Sequence, residues 1–189
     1  MSLKDRRQEL ERLGFRIVDE TDDTLVGVQR RFHWDCALTK LTYVLFVREV
    51  DQLTESILEA DRESLSARAR DLDPSILPRG FQKGTAVVTA YLARSVTPGA
   101  RELCDRKPRV RFAFFYMPAV LDTSAGVATY LRSTPMWGAL YYSKLRFLIG
   151  SVLEPTKAGG GWPISIGGAL MTIFLLLVIA FNLAIILKL

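Results

Sequence analysis

A histidine, an aspartate and a cysteine lie within four residues of one another, at His33, Asp35 and Cys36, with Trp34 among them. A histidine within hydrogen-bond reach of a thiol favours the nucleophilic thiolate, so the three residues are candidates for catalysis. Catalytic partners usually converge from separate elements, however, and neighbouring positions rarely supply that geometry. The pattern favours the other interpretation, in which Cys36 is buried and Trp34 packs under a loop.

The residue types argue for no cofactor and no metal. His33 is the only histidine, and the two cysteines, Cys36 and Cys104, form neither a CxxC pair nor a disulfide framework. The chain has no Gly-rich phosphate loop, no GxSxG elbow and no HExxH motif. The sequence therefore gives no specific reason to expect an enzyme.

A basic stretch in the second half of the chain is the other chemical feature. Its cations either contact lipid headgroups or a phosphate ligand, or form an ordinary solvated face, which the pattern favours. Residues 112–116 are rich in aromatic side chains with the spacing of a core strand, which argues against a nucleic-acid surface. The candidate contact residues are Arg94, Arg101, Arg106, Lys107, Arg109 and Arg111.

The longest uncharged apolar run covers residues 164–187, a length of 24 residues. As a helix it measures roughly 36 Å, enough to cross a hydrocarbon core of about 30 Å with some tilt. The basic residues Lys144, Arg146 and Lys157 precede the run closely, whereas only Lys188 follows it, and the first 14 residues do not resemble a signal peptide. We therefore expect a single-pass, tail-anchored protein of the cell membrane with its N-terminal domain in the cytoplasm.

Several residues in and before this run are candidates for contact with the membrane interface or with a second membrane helix. Trp162 and Lys157 precede it, where interfacial anchors are common. Small residues four positions apart and one amide inside the run are typical of helices that associate in membranes, so a homo-oligomer is a hypothesis. The candidates for helix association are Ser165, Gly168, Ala169 and Asn182.

The elements that must position these residues follow from local patterns. The predicted order is helix, hairpin, strand, helix, strand, helix, strand, hairpin, helix, which is a mixed α/β domain with one mixed sheet and flanking helices. Asp51 is predicted to cap the second helix and Thr97 with Pro98 to begin the third. Pro118 is predicted to break a strand, and residues 123–126 to form a hairpin turn.

The segment of residues 136–153 is strongly apolar and has two interpretations. It is either an interfacial helix on the membrane or a closing helix packed on the sheet. The sequence favours packing, because a free helix with so many aromatic residues would expose a large apolar patch. The predicted organisation is a cytoplasmic α/β domain over residues 1–153, a flexible Gly-rich linker over 154–163 and a transmembrane helix over 164–187.

The order of helix, hairpin, strand, helix and strand over residues 3–92 is similar to the core of the restriction-endonuclease-like family. That resemblance is topological, and it implies metal-binding carboxylates on the second and third strands, with Asp22 or Asp23 at the head of the second. The third strand reads Tyr43 to Arg48 and lacks the acidic residue, spacer and lysine of that family. The resemblance is therefore compatible with a degenerate member of that family that binds a ligand without nuclease activity.

The sequence thus predicts a non-catalytic binding or scaffolding module held near the bilayer. Its partners would be membrane lipid and another membrane protein or an acidic protein. The alternative is a membrane-tethered enzyme, or a degenerate restriction-endonuclease-like domain, acting on a phosphorylated substrate.

Overall fold

Six strands form one mixed sheet in sequential order in the computed structural model. The structure describes residues 3–35, 39–73, 83–108, 113–136, 139–154 and 162–186. The strands are β1 (Arg16–Glu20), β2 (Thr24–His33), β3 (Thr39–Leu53), β4 (Lys83–Val96), β5 (Phe114–Asp122) and β6 (Val127–Tyr130). β1, β2 and β3 are antiparallel neighbours, β3, β4 and β5 are parallel, and β6 returns antiparallel to β5.

Five helices accompany the sheet within the described residues: α1 (Leu3–Arg12), α2 (Glu55–Asp71), α3 (Pro98–Asp105), α4 (Ala139–Leu153) and α5 (Ile166–Ile186). α1 and α4 pack on one face of the sheet, and α2 and α3 cover the other. β3 is apolar at consecutive positions because it is covered on both faces: Tyr43 and Leu45 contact the α4 side, while Val44 and Phe46 contact the α2 side. The predicted mixed α/β class is confirmed. The order of the elements agrees as far as α3, after which the single strand β5 takes the place of the predicted strand and of the first strand of the predicted second hairpin.

α4 packs on the sheet, as the sequence favoured. Leu145, Leu148, Ile149 and Val152 are fully buried in the same core cluster as the central strands. The other interpretation, an interfacial helix lying on a membrane, is excluded for this segment because its apolar face is already covered by β4 and β5.

Two local predictions about element ends are wrong, and one is confirmed. β3 continues to Leu53, so Asp51 lies in the strand, and α2 is capped instead by Thr54, whose hydroxyl accepts the Ile57 N–H. β5 runs through Pro118, because β6 pairs with β5 only from Ala119 onward and a proline is tolerated where a strand lacks a neighbour. Thr97 caps α3 as predicted.

The two ends of the sheet are distinct. β2 ends and β3 begins at the same end, where His33 pairs with Thr39. The parallel strands β4 and β5 also begin there, since Lys40 pairs with Lys83 and Thr85 with Phe114. α5 begins beside this end, which we call the α5 end; the opposite end carries the β5–β6 hairpin and is called the hairpin end.

Candidate functional site: the junction between the domain and helix α5

A buried ion pair joins the domain to the start of α5. The Lys144 Nζ donates to Asp35 Oδ2 at 2.6 Å, and the two side chains are only 2% and 5% exposed. The same carboxylate oxygen accepts the backbone N–H of Ser165 at 2.7 Å, and the Lys144 Nζ also donates to the Pro163 carbonyl at 2.7 Å. One lysine and one aspartate thus hold Pro163 and Ser165, in the segment directly before α5.

Each member of this junction is positioned by a different element. Asp35 follows the end of β2, and Lys144 projects from the buried face of α4. Ser165 caps α5, because its hydroxyl accepts the Gly168 N–H at 3.2 Å while its carbonyl accepts the Ala169 N–H. The Asp35 carboxylate therefore lies at a helix N-terminus, where negative charge is favoured.

Gly168 lets α5 approach the domain closely. A Cβ at this position would lie 1.8 Å from the Asp35 carbonyl oxygen and 3.0 Å from its carbon, so only glycine fits. Thr172, one turn later on the same helix face, is also buried, whereas the neighbouring Gly167 has open space around it. The first two turns of α5 are consequently part of the junction.

Trp162 packs into an aromatic cluster of the domain. Its ring centroid lies 5.3 Å from that of Tyr43, 5.6 Å from that of Phe147 and 5.9 Å from that of His33. The guanidinium of Arg31 stacks over the indole at 4.6 Å. The residue predicted as a membrane-interface anchor is therefore fixed against the sheet, at the end of the predicted linker. The remaining interface candidate, Lys157, lies outside the described residues.

The electrostatics of the junction favour neutral His33 and ionised Asp35. Burial and the nearby charge of Lys144 lower the pKa of His33 to about 4, against the opposing effect of Asp35. Burial alone would raise the pKa of Asp35, but the hydrogen bonds from Lys144 and Ser165, together with the charge of Lys144, lower it on balance. The ion pair is thus charged at neutral pH beside an uncharged imidazole.

His33 has the surroundings of a structural group. Its Nε2 lies 2.8 Å from the Tyr43 hydroxyl, and its Nδ1 lies 3.8 Å from Asp35 Oδ1, too far for a hydrogen bond. The imidazole is 4% exposed, so a substrate has no direct path to it. Cys36, the third residue of the predicted catalytic cluster, lies outside the described residues, and a catalytic role for the cluster stays a prediction. The expectation that Trp34 packs under a loop is wrong, because its side chain is 48% exposed.

We expect the domain to lose stability as the pH falls from about 6.5 to 4. Over this window an unfolded His33 binds a proton while the folded form resists it, so each pH unit costs at most about 1.4 kcal/mol. Urea unfolding of the detergent-solubilised protein at a series of pH values measures this slope. His33→Gln, which keeps a polar group near Tyr43, should flatten it, and an unchanged slope in that variant would contradict the assignment.

A second buried carboxylate lies at the α5 end, where α2 meets the sheet. Asp73 accepts the Thr42 hydroxyl at 3.0 Å and the Thr85 hydroxyl at 2.8 Å, and the Lys83 Nζ lies 3.2 Å from its Oδ2. These partners come from the first residues of β3 and β4. The cluster fixes the end of α2 against the start of the two parallel strands.

The described residues of the predicted basic stretch lie at more than one place on the domain. Arg94 and Arg101 lie toward the hairpin end, where they pair with Asp51 at 3.4 Å and with Asp122 at 2.5 Å. Arg106 pairs with Glu102 on the surface of α3. Lys107 follows that helix, whereas Arg109 and Arg111 lie outside the described residues. Contact of this set with lipid or phosphate stays a prediction.

A cavity of about 160 Å³ lies between α2, α3 and the first half of β5. That is close to the size of a cavity that holds benzene, about 150 Å³. Its lining combines buried apolar side chains with three cations, Arg62, Arg106 and Lys107, and one carboxylate, Glu59. Cys104 also lines it, but burial raises the pKa of that thiol to about 12, which leaves it protonated and unreactive.

The residues predicted for helix association occupy two different environments. Ser165 and Gly168 contact the domain, as described above. Asn182 lies far along α5, where its amide donates to the Val178 carbonyl of the same helix at 2.7 Å. Association through Asn182 or Ala169 stays a prediction.

The sequence analysis did not pair Asp35 with Lys144, although the position of Lys144 in the sequence indicates that it has a partner. Lys144 interrupts an apolar helical stripe that includes Tyr141, Leu145 and Leu148, and a lysine on such a stripe is rarely buried unless it is paired. The identity of the partner, 109 residues away, could not be read locally. No pattern in the sequence indicates that Tyr43 and Arg31 contact Trp162.

Fold and junction together define a class: a mixed α/β domain fastened to a long apolar helix. Within the described residues, Ile166–Leu183 is the one helix that is long and apolar enough to cross a membrane, with a mean hydropathy of 2.4 and 11% burial. Comparison of the chain with known protein families, with curated proteins and with solved structures gives no match. In the same described part of the chain, no three His, Cys, Asp or Glu side chains are grouped as metal ligands would be, including on β2 and β3.

Proposed function

We propose that this protein is a single-pass membrane protein whose α/β domain is a binding module fixed to its membrane helix. The observation that carries the proposal is the buried contact of Lys144 and Asp35 with the start of α5. A helix that only tethered the domain would have no need of a buried ion pair, which is costly to desolvate unless its geometry is good.

Fixing the domain to the helix has a functional consequence. A tethered domain raises the effective concentration of a partner near the membrane, and a fixed one also restricts which of its faces the partner meets. With the α5 end toward the bilayer, the hairpin end points away from it, and the α2–α3 face lies to the side, along the length of the strands. These faces are where we place the binding of a partner.

The cavity between α2 and α3 supports a partner of acidic character. Of the three cations in its lining, Arg106 is already paired with Glu102. Arg62 and Lys107 still outnumber the single lining carboxylate, Glu59, and the apolar interior can receive a side chain. An acidic protein or another membrane protein with an acidic segment fits this chemistry. The alternative function, an enzyme acting on a phosphorylated substrate, would use the same cations but has no catalytic group assigned to it here.

Extraction and labelling of the full-length protein in cells test the tether and its orientation. We expect the protein to remain in the membrane pellet after a carbonate wash, because α5 spans the bilayer. A membrane-impermeant lysine reagent applied outside intact cells should leave the exposed Lys40 unlabelled and should label it after permeabilisation. Release into the supernatant would overturn the anchor, and labelling of Lys40 itself in intact cells would overturn the cytoplasmic orientation.

A further inference from the structure

We propose that the α5 end of the domain itself sits in the lipid interface, with Phe32, Trp34 and Met136 in contact with lipid. This inference rests on the proposed function, because it requires α5 to span the bilayer. It adds a second membrane contact that the anchor alone does not imply.

The distribution of exposed apolar side chains carries the proposal. Outside α5, the large apolar residues exposed in the described part of the chain are Phe32 at 57%, Trp34 at 48%, Met136 at 96%, Ile164 at 63% and Val127 at 48%. All but Val127 lie at the α5 end. Exposed apolar residues scattered singly need no explanation, but a group around the start of a membrane helix marks a membrane contact.

Register and hydrogen bonds place these residues at that end. Phe32 pairs with Lys40 at the end of β2, and Trp34 follows it. Met136 precedes α4, whose first turns reach the same place because the Tyr141 hydroxyl donates to Thr39 Oγ1 at 3.1 Å. Ile164 stands directly before the cap of α5. The group therefore surrounds the point at which the chain enters α5.

The length of α5 gives an independent argument. Its first two turns are taken up by the junction as far as Thr172, and Lys188 is the next charged residue. The uncharged residues between them number 15, from 173 to 187, and span about 22 Å as a helix, less than the hydrocarbon thickness of about 30 Å. The remaining hydrocarbon thickness is filled if the junction and the exposed apolar residues around it lie at the level of the acyl chains nearest the headgroups.

The side chains at this end suit an interfacial position. Trp34 is an aromatic residue of the kind enriched at membrane boundaries, and the exposed Lys40 beside Phe32 can reach anionic headgroups. Arg31 is held over Trp162 at the same end. The buried ion pair lies just inside this layer, where exclusion of water strengthens it.

Photo-crosslinking to lipid tests the proposal with the full-length protein in vesicles of phosphatidylcholine and phosphatidylglycerol. p-Benzoylphenylalanine is introduced in turn at Phe32, Met136, Val127 and Phe174, and lipid adducts are measured by mass spectrometry. Val127 is the matched control, since it is exposed to a similar degree but lies at the hairpin end. Phe174 reports on the anchor, because it is exposed on α5 beyond the junction.

We expect lipid adducts at Phe32 and Met136 in severalfold excess over Val127, together with strong adducts at Phe174. Adducts at Phe174 with only the Val127 level at Phe32 and Met136 would overturn the interfacial position while leaving the anchor intact. Absence of adducts at Phe174 would overturn the anchor itself, and the proposal with it. All four positions are exposed, so the substitutions should not disturb folding.

Discussion

Replacement of Lys144 by methionine should lower the free energy of unfolding by about 3–5 kcal/mol, the largest effect we expect from one substitution. Methionine fills a similar volume in α4, so packing against the sheet is retained. The loss comes from Asp35, which is 5% exposed and, among the described contacts, would retain the Ser165 N–H as its one hydrogen-bond donor. Urea unfolding of the detergent-solubilised protein, followed by circular dichroism, measures the change.

Two variants control this experiment. Lys40→Met removes an exposed lysine at the same end of the sheet and should change stability by no more than about 0.5 kcal/mol. Lys144→Met combined with Asp35→Asn removes both charges, and should cost less than the sum of the two single changes because the orphaned charge is gone. Additive losses, or a Lys144→Met protein as stable as the Lys40→Met control, would show that the pair is not coupled.

Gly168→Ala should separate the start of α5 from the domain. The new Cβ would lie 1.8 Å from the Asp35 carbonyl oxygen, which is backbone and cannot move aside as a flexible side chain would. Overpacking of this kind costs about 1–3 kcal/mol. We expect faster hydrogen exchange at the Ser165 amide, whose N–H donates to Asp35, and a change in the fluorescence of Trp162 as its contacts with Tyr43 and Phe147 loosen.

Gly167→Ala is the matched control for this substitution. Gly167 precedes Gly168 in the same helix, but its Cβ position faces open space. Alanine is the better helix former by up to about 1 kcal/mol, so this variant should be neutral or slightly stabilised. If both alanines behave alike, the close approach of α5 to Asp35 is not a feature of the protein in its membrane.

The position of Gly168 also bears on self-association of α5. Small residues at the start of a span are typical of helix pairs, but here Gly168 is already needed for contact with the domain. A substitution at Gly168 would therefore disturb the junction as well as any helix pair. Asn182, which lies well beyond the junction and bonds only along its own helix among the described contacts, is the residue at which association can be tested separately.

A fixed junction changes what the anchor does for the protein. A Gly-rich connection alone would let the domain rotate, and its partner-binding faces would point in all directions. The ion pair, the close approach at Gly168 and the packing of Trp162 are three contacts that oppose this rotation. A partner bound at the cavity between α2 and α3 would then meet the protein at a defined height and orientation above the bilayer.

Local patterns in the sequence determined much of the fold. β3 could be predicted because consecutive apolar residues such as Val44 and Leu45 indicate a strand covered on both faces, and α3 because Thr97 and Pro98 begin a helix. The apolar run that became α5 was read in the same way. Each of these signals is complete within one or two turns or a few strand residues, so no knowledge of distant residues is required. The same locality explains the error at Pro118, where the pairing of β6 decided that the strand could continue.

Only the tertiary structure decided how the domain meets α5. The sequence placed Asp35 in a catalytic cluster and Lys144 among the basic residues near the anchor, and nothing local joined them. They meet because β2 ends and α4 begins at the same end of the sheet, which brings together groups 109 residues apart. Gly168 likewise fits the sequence pattern of a helix-pairing residue, and only the structure shows how close it lies to the Asp35 backbone. Burial and pairing across such separations depend on the packing of whole elements, which no short stretch of sequence contains.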